Sequence, residues 1–207
     1  MGLLNLLLKD PLAFTLIAIP LLYAIIFHEL AHGWVAYRLG DSTAKSLGRL
    51  SLNPLKHLDP MGTLMLFIFG FGWAKPVPVN FSHLRDRRWG MILVSAAGVI
   101  TNMLLAFMAL FLTRLLSPAP DSMSAVLLYY FAQINIILAA FNLIPIPPLD
   151  GSKILMGFAS PKVQNLVFRA ERYGFIIIVA LLYFGVLNPV IAFFRWMILS
   201  VINLLLG

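Results

Sequence analysis

Long apolar runs constrain this chain more than any other feature. Residues 11–39 form a run of 29 whose only strongly polar members are His28, Glu29, His32 and Arg38. A helix rising 1.5 Å per residue crosses a hydrocarbon core of about 30 Å in roughly 20 residues, so this run can span a bilayer. The runs 91–116 and 124–146 are also long enough, and the shorter runs 175–187 and 190–206 are parted by the turn signal Asn188-Pro189. Of the 207 residues, 61% are hydrophobic and 11% charged, whereas a soluble domain carries about 25% charged residues. That balance excludes a disordered chain and an ordinary water-soluble enzyme. The absence of cysteine excludes disulfides and thiolate metal sites.

The stretch 63–73 is apolar but too short to span. Gly70 and Gly72 interrupt it, and Val77-Pro78-Val79 follows. Irregular backbone at membrane depth is tolerated only where protein or a water-filled cavity covers it, so 62–81 reads as a re-entrant, partly β hairpin. The expected fold is an all-α polytopic membrane protein of about five transmembrane helices plus this hairpin. It forms a single membrane-embedded domain over 1–207, with a catalytic core of about 11–152 and a C-terminal helical hairpin of about 174–206. No internal repeat and no soluble domain is evident, and the longest polar loops are 40–59 and 152–173. Lys9 is followed by Asp10 with no A-x-A site, which argues against a cleavable signal peptide.

Charge gives an orientation. Segments 38–88 and 153–172 hold 12 of the 15 basic residues, and the loop 117–123 holds none. The positive-inside rule places both basic segments in the cytoplasm and the amino terminus outside. This is consistent only if 62–81 enters and leaves on the same side. The net charge of +7 thus reports topology, and no nucleic-acid partner is expected. The cluster Arg85–Arg88 suits anionic headgroups, and Trp34, Trp73, Trp89 and Trp196 suit interfacial anchoring or packing.

His28-Glu29-Leu30-Ala31-His32 is an H-E-x-x-H motif. At about 100° per residue, His28 and His32 share one helix face, and both imidazoles can bind one metal. Imidazole suits zinc, and Glu29 beside it can act as general base toward water. A charged side chain at the centre of a membrane helix costs roughly 2.5–3.5 kcal/mol on insertion scales, so a chance placement of these residues is disfavoured. His28 lies ten residues before Arg38, about 15 Å along the helix from its cytoplasmic end.

Catalytic zinc usually takes three protein ligands. The remaining candidates are Asp10, Asp41, Asp59, Asp86, Asp121, Asp150, Glu171, His57 and His83. Asp150 stands apart because it follows Pro145, Pro147 and Pro148, which must break the preceding span near the depth of His28. Spacing alone leaves two roles open for it, a ligand or a turn residue before Gly151. His57 and His83 lie beside basic residues in loops, where solvated or packed histidines are the norm.

Together the two motifs resemble those of the site-2 proteases, intramembrane zinc metalloproteases, and most resemble the small prokaryotic type without a PDZ domain. In that family H-E-x-x-H on one transmembrane helix is completed by the aspartate of N-x-x-P-x-x-x-L-D-G on another, and 27–33 and 142–151 match both. The stretches 52–60 and 71–80 are also similar to the same subgroup, so the likeness runs over about 20–152. The resemblance implies one zinc per chain on His28, His32 and Asp150, with Glu29 as general base. It implies that Asn142 is a polar group near the substrate that steadies the oxyanion. Gly98-Val99-Ile100-Thr101-Asn102 is similar to the family's G-x-x-x-N element, without its usual Gly-Pro start, which brings in Asn102.

The implied activity is hydrolysis of peptide bonds in or near transmembrane segments of membrane proteins, in a multi-pass protein of the cell membrane with its site nearer the cytoplasmic face. Its partners are the lipid bilayer and a membrane-protein substrate. A substrate helix hides its amides in internal hydrogen bonds, and the extended part of 69–81 offers an edge for β-augmentation. The competing reading is a non-proteolytic zinc-binding membrane protein, a transporter or sensor. A transporter would carry polar residues along a whole path, whereas here they cluster at one depth. A protease of the prenyl-processing kind would use a glutamate as third ligand, and Glu171 sits among basic residues.

Overall fold

The apolar runs become helices with polar caps at their starts. The computed structural model describes residues 3–70 and 72–207; Phe71, part of the stretch 71–80 noted above, lies outside the described residues. After a short α1 (Leu3–Lys9), α2 (Pro11–Arg38) starts where the Asp10 carboxylate accepts the Ala13 N–H at 2.9 Å and Pro11 fills the first turn. A single turn, α3 (Thr43–Ser46), follows, and then α4 (Pro60–Phe69). Helix α4 is capped by Asp59, which accepts Gly62 N–H at 2.8 Å, and it ends at Gly70 in the left-handed region at φ 79°. Next, α5 (Arg87–Leu116) is capped by Asp86 and α6 (Met123–Asn142) by Ser122. The chain closes with α7 (Asp150–Met156), α8 (Pro161–Tyr183) and α9 (Asn188–Leu206).

Four of these helices, α2, α5, α6 and α9, are long and apolar enough to cross a membrane. Where α5, α6 and α9 meet, Val99, Ala106, Ile136, Ala139, Ala140, Ile198 and Ile202 form a buried cluster. Its alanines let the helix backbones approach closely, which suits packing between helices in lipid, where van der Waals contact replaces the hydrophobic effect. Leu104, Met108 and Ile100 point outward and are exposed.

Two features differ from expectation. The segment 62–81, expected as a re-entrant, partly β hairpin, has one isolated bridge as its β pairing among the described residues. Its first limb is helix α4, and its second limb, 72–80, is extended and forms one isolated antiparallel bridge, Leu58 to Ala74, beside a 2.8 Å hydrogen bond from Lys75 N–H to the His57 carbonyl. No sheet forms among the described residues. The Asp59-Pro60 start and the Gly70 stop favour a helix in the first limb, and Pro76 and Pro78 remove the donors a ladder would need in the second. The two limbs pack so closely that a Cβ on Gly62 would collide with the Trp73 carbonyl.

The second difference concerns the C-terminal part. Four described helices meet the length and polarity of a span, beside the expected number of about five. The run 175–187 is not a separate helix, and 152–173 is not a loop. Helix α8 begins at Pro161 and carries the basic residues on its first half, and its second half is the apolar run. The turn into α9 falls at 184–187, with Gly185 at φ 71°, before Asn188-Pro189. Pro189 sits in the first turn of α9, where its missing N–H costs nothing.

The long connection between α2 and α5 is pinned by Asp41, which is fully buried. Its Oδ1 accepts from Thr43 N–H at 3.0 Å and from the Thr43 hydroxyl at 2.5 Å, and its Oδ2 accepts from Asn80 N–H at 2.7 Å. Burial pushes this carboxyl up, but the bonds from Thr43 and Asn80 outweigh that and hold it below the usual carboxylate range. A carboxyl depressed on folding stabilises the fold above its unfolded value of about 3.9, and that stability is lost as pH falls through the lower folded value. Asp41→Asn should therefore destabilise the protein by about 1–3 kcal/mol at pH 7 and remove part of the acid limb of its stability profile. Thermal unfolding in detergent between pH 3 and pH 8 measures both.

Candidate metal centre

Helix α2 presents His28 and His32 four residues apart, on the half nearer Arg38. Helix α6 stops at Asn142, and the proline-rich turn 143–149 folds the chain back so that α7 opens with Asp150 against α2. Asp150 Oδ2 lies 3.1 Å from His28 Nε2 and 3.2 Å from His32 Nε2, and the two Nε2 atoms are 3.0 Å apart. All three residues are buried, and together they form a group able to hold a metal ion.

The surroundings fix which atoms carry protons. The Val94 carbonyl can only accept, so His32 Nδ1–H donates to it at 2.7 Å, and in the neutral ring His32 Nε2 keeps a bare lone pair. For His28 the same result follows through two asparagines. Asn135 Nδ2 donates to the Phe131 carbonyl at 2.8 Å, which turns Asn135 Oδ1 toward Asn102. Asn102 Nδ2 donates to that oxygen at 2.8 Å and to the Ala24 carbonyl at 3.2 Å. Asn102 Oδ1 therefore accepts from His28 Nδ1–H at 2.6 Å, which in the neutral ring leaves His28 Nε2 bare. Two imidazole lone pairs and a carboxylate oxygen thus converge, and Asp150 Oδ2 has no hydrogen-bond donor. Three acceptors this close repel one another unless a cation lies among them.

That donor set fits zinc. Tetrahedral ligands at zinc bond lengths of 2.0–2.1 Å stand about 3.3 Å apart, close to the spacings observed. Outer hydrogen bonds from each metal-binding imidazole to an oxygen are the usual way such rings are oriented. One face of α5 backs the group. Val94 and Asn102 supply those oxygens, and Gly98 between them makes room. A Cβ on Gly98 would fall 2.5 Å from His28 Cε1 and 2.6 Å from both Nε2 atoms.

The group opens into a cavity of about 700 Å³. Glu29, Ser95, Asn142, Lys153 and Glu171 line it, together with the extended limb from Trp73 to Val79. Val77 N–H donates to Glu29 Oε2 at 2.8 Å, tying the limb to the residue beside the group. Asn142 reaches the cavity while its Nδ2 donates to the Leu138 carbonyl at 3.0 Å. The Trp73 and Phe175 rings meet edge to face at 4.7 Å, joining the limb to α8.

The other candidates fall elsewhere. Asp10, Asp59 and Asp86 cap helices, and Asp121 is exposed in the loop before α6. His57 is buried with its Nε2–H donating to the Ser51 carbonyl at 2.7 Å, and His83 is exposed beside Asp41 and Asn80. Glu171 is not in a loop: it lies on α8, lines the cavity and stands 3.8 Å from Lys153. Sequence reasoning passed over Asn135, although an asparagine inside an apolar span was a readable sign. It gave Val77 no role at Glu29, because that contribution is a backbone N–H and leaves no trace in residue type.

Two variants probe this arrangement. Gly98→Ala should displace both imidazoles and lower zinc affinity at least tenfold while the protein keeps its helicity. Asn102→Leu should lower zinc affinity by about 10–100-fold, the usual cost of losing an outer-shell partner. Competition titration with a chelating dye reads both.

Comparison with known proteins points to one family. Residues 114–185 match peptidase family M50. A relative from Bacillus subtilis (strain 168), provisionally named zinc metalloprotease YwhC, is 41% identical over 191 residues, covering 89% of this chain and 85% of its own. Rip2 of Mycolicibacterium smegmatis, provisionally named in the same way, is 32% identical over 182 residues, 84% of this chain and 69% of its own. MJ0611 of Methanocaldococcus jannaschii, also so named, is 35% identical over 136 residues, 63% of each chain. No solved structure matches. By its two motifs and these relatives, the chain belongs to peptidase family M50, the site-2 protease family.

Proposed function

We propose that this chain is a multi-pass intramembrane zinc metalloprotease that hydrolyses peptide bonds in or near transmembrane segments of other membrane proteins. The observation that carries the reading is the convergence of His28 Nε2, His32 Nε2 and Asp150 Oδ2 beside the Glu29 carboxylate in one cavity. His28, His32 and Asp150 would hold one zinc ion. Bound there, zinc supplies Lewis acidity that polarises a peptide carbonyl and makes water easier to deprotonate.

The chain's own residues do the rest. Val77 N–H holds Glu29 Oε2, so Oε1 is the oxygen that takes the proton from the attacking water and later returns it to the leaving amine. Asn142, lining the same cavity, would donate its second Nδ2–H toward the developing oxyanion. The extended limb 72–80 borders the cavity, and its free backbone groups can hold an unwound substrate segment. With four spans the loop after α5 and the end of α9 would share one side, and the hydrogen bonds from Arg114 near the end of α5 to the carbonyls of Leu206 and Gly207 support this. The basic segments then share the other side, the cytoplasmic one under the positive-inside rule, with the amino terminus outside and the site nearer the cytoplasm.

Glu29→Gln should retain one zinc per chain and lose peptide-bond cleavage by at least about a hundredfold, since a general base contributes roughly 10²–10⁴. Metal analysis beside cleavage of a single-span reporter in vesicles measures both. Substantial cleavage by zinc-loaded Glu29→Gln would rule out the assigned role of Glu29. A transporter or sensor would leave the reporter intact with the wild type as well.

A further inference from the structure

Arg195 lies within α9, seven residues from its start and eleven from its end. These separations are about 10 Å and 16 Å along the axis. A guanidinium stays charged at any physiological pH, and charges at this depth almost always pair with one another or mark a functional contact. Here the partner is neutral: Nη2 donates to Gln133 Oε1 at 3.1 Å, near the middle of α6. The Nε–H is buried without an acceptor. No carboxylate pairs with Arg195 among the described residues.

The strip around this charge faces outward. Tyr129 and Ile137, one turn to either side of Gln133, are exposed, as is Ala192 one turn before Arg195. A small residue beside a polar one is the pattern that lets a second helix approach closely in lipid. A second copy of this chain cannot supply the missing charge, because Glu29 is the only acid within the four apolar helices and it lines the cavity. We propose that the α6–α9 face at Arg195 docks a transmembrane helix of another protein that carries an aspartate or glutamate at mid-membrane depth. The carboxylate would take the terminal guanidinium N–H groups that Gln133 leaves unpaired and that, unlike Nε, are not buried, and Ala192 would leave room for the incoming backbone.

The test uses the full chain, donor-labelled, in phosphatidylcholine vesicles with acceptor-labelled leucine–alanine transmembrane helices. One helix carries a central aspartate and one is wholly apolar. Energy transfer should show the aspartate helix associating at least tenfold more tightly than the apolar one. Gln133→Glu gives the guanidinium an internal counter-ion and should abolish that preference while zinc content stays unchanged. Arg195→Lys should keep the preference and Arg195→Gln should lose it, and this pair decides if Gln133→Glu disturbs the fold. Equal association of the two helices with the wild type overturns the proposal and leaves the guanidinium to a lipid phosphate. A preference that survives both Gln133→Glu and Arg195→Gln overturns it as well.

Discussion

Three electron pairs, on His28 Nε2, His32 Nε2 and Asp150 Oδ2, are held within 3.2 Å of one another inside an apolar helix bundle. Burying a carboxylate without a partner is costly in any protein interior, and a bilayer offers little water to relieve it. Much of the structure serves to make this convergence stable in the presence of a cation. Helix α2 sets the two imidazoles on one face. The proline-rich turn after α6 brings Asp150 back to them. Helix α5 contributes two oxygens that fix the ring tautomers and a glycine that leaves space for both rings. The Asn102–Asn135 pair carries the orientation of His28 across to α6, so all three helices are coupled through one imidazole.

The extended limb 72–80 extends this logic toward the reaction. It forms no sheet among the described residues, yet its Val77 amide fixes the Glu29 carboxylate beside the His28, His32 and Asp150 group. Asp41 holds the far end of the limb through Asn80, and Trp73 holds the near end against Phe175 of α8. Under the proposed reading, a substrate laid along this limb approaches the metal group and Glu29 in one register. Specificity would then reside in how readily a helix unwinds at that point.

Much of the site was legible in the sequence because polar side chains are expensive in apolar runs. His28, Glu29 and His32 stand out inside the first run for that reason, and three prolines mark the break before Asp150. The runs 11–39, 91–116 and 190–206 match helices to within a few residues. What could not be read depends on neighbours. Helix α8 was hidden because Lys162, Arg169 and Arg172 made its first half look like a loop, whereas charges are compatible with a helix lying partly outside the apolar layer. The helical limb at Pro60–Phe69 was hidden because its short apolar run fits strand and helix equally, and the caps at Asp59 and Gly70 decided the matter. Gly98 was visible as a small residue, but its purpose depends on two rings arriving from another helix.

The central claim concerns which atoms hold the metal, and X-ray absorption spectroscopy at the zinc edge tests it most directly. The account predicts one zinc per chain with two imidazole nitrogens and oxygen donors at about 2.0–2.2 Å. It also predicts a loss of one oxygen donor in Asp150→Ala. A first shell with one or three imidazoles, or a shell unchanged by Asp150→Ala, would contradict it.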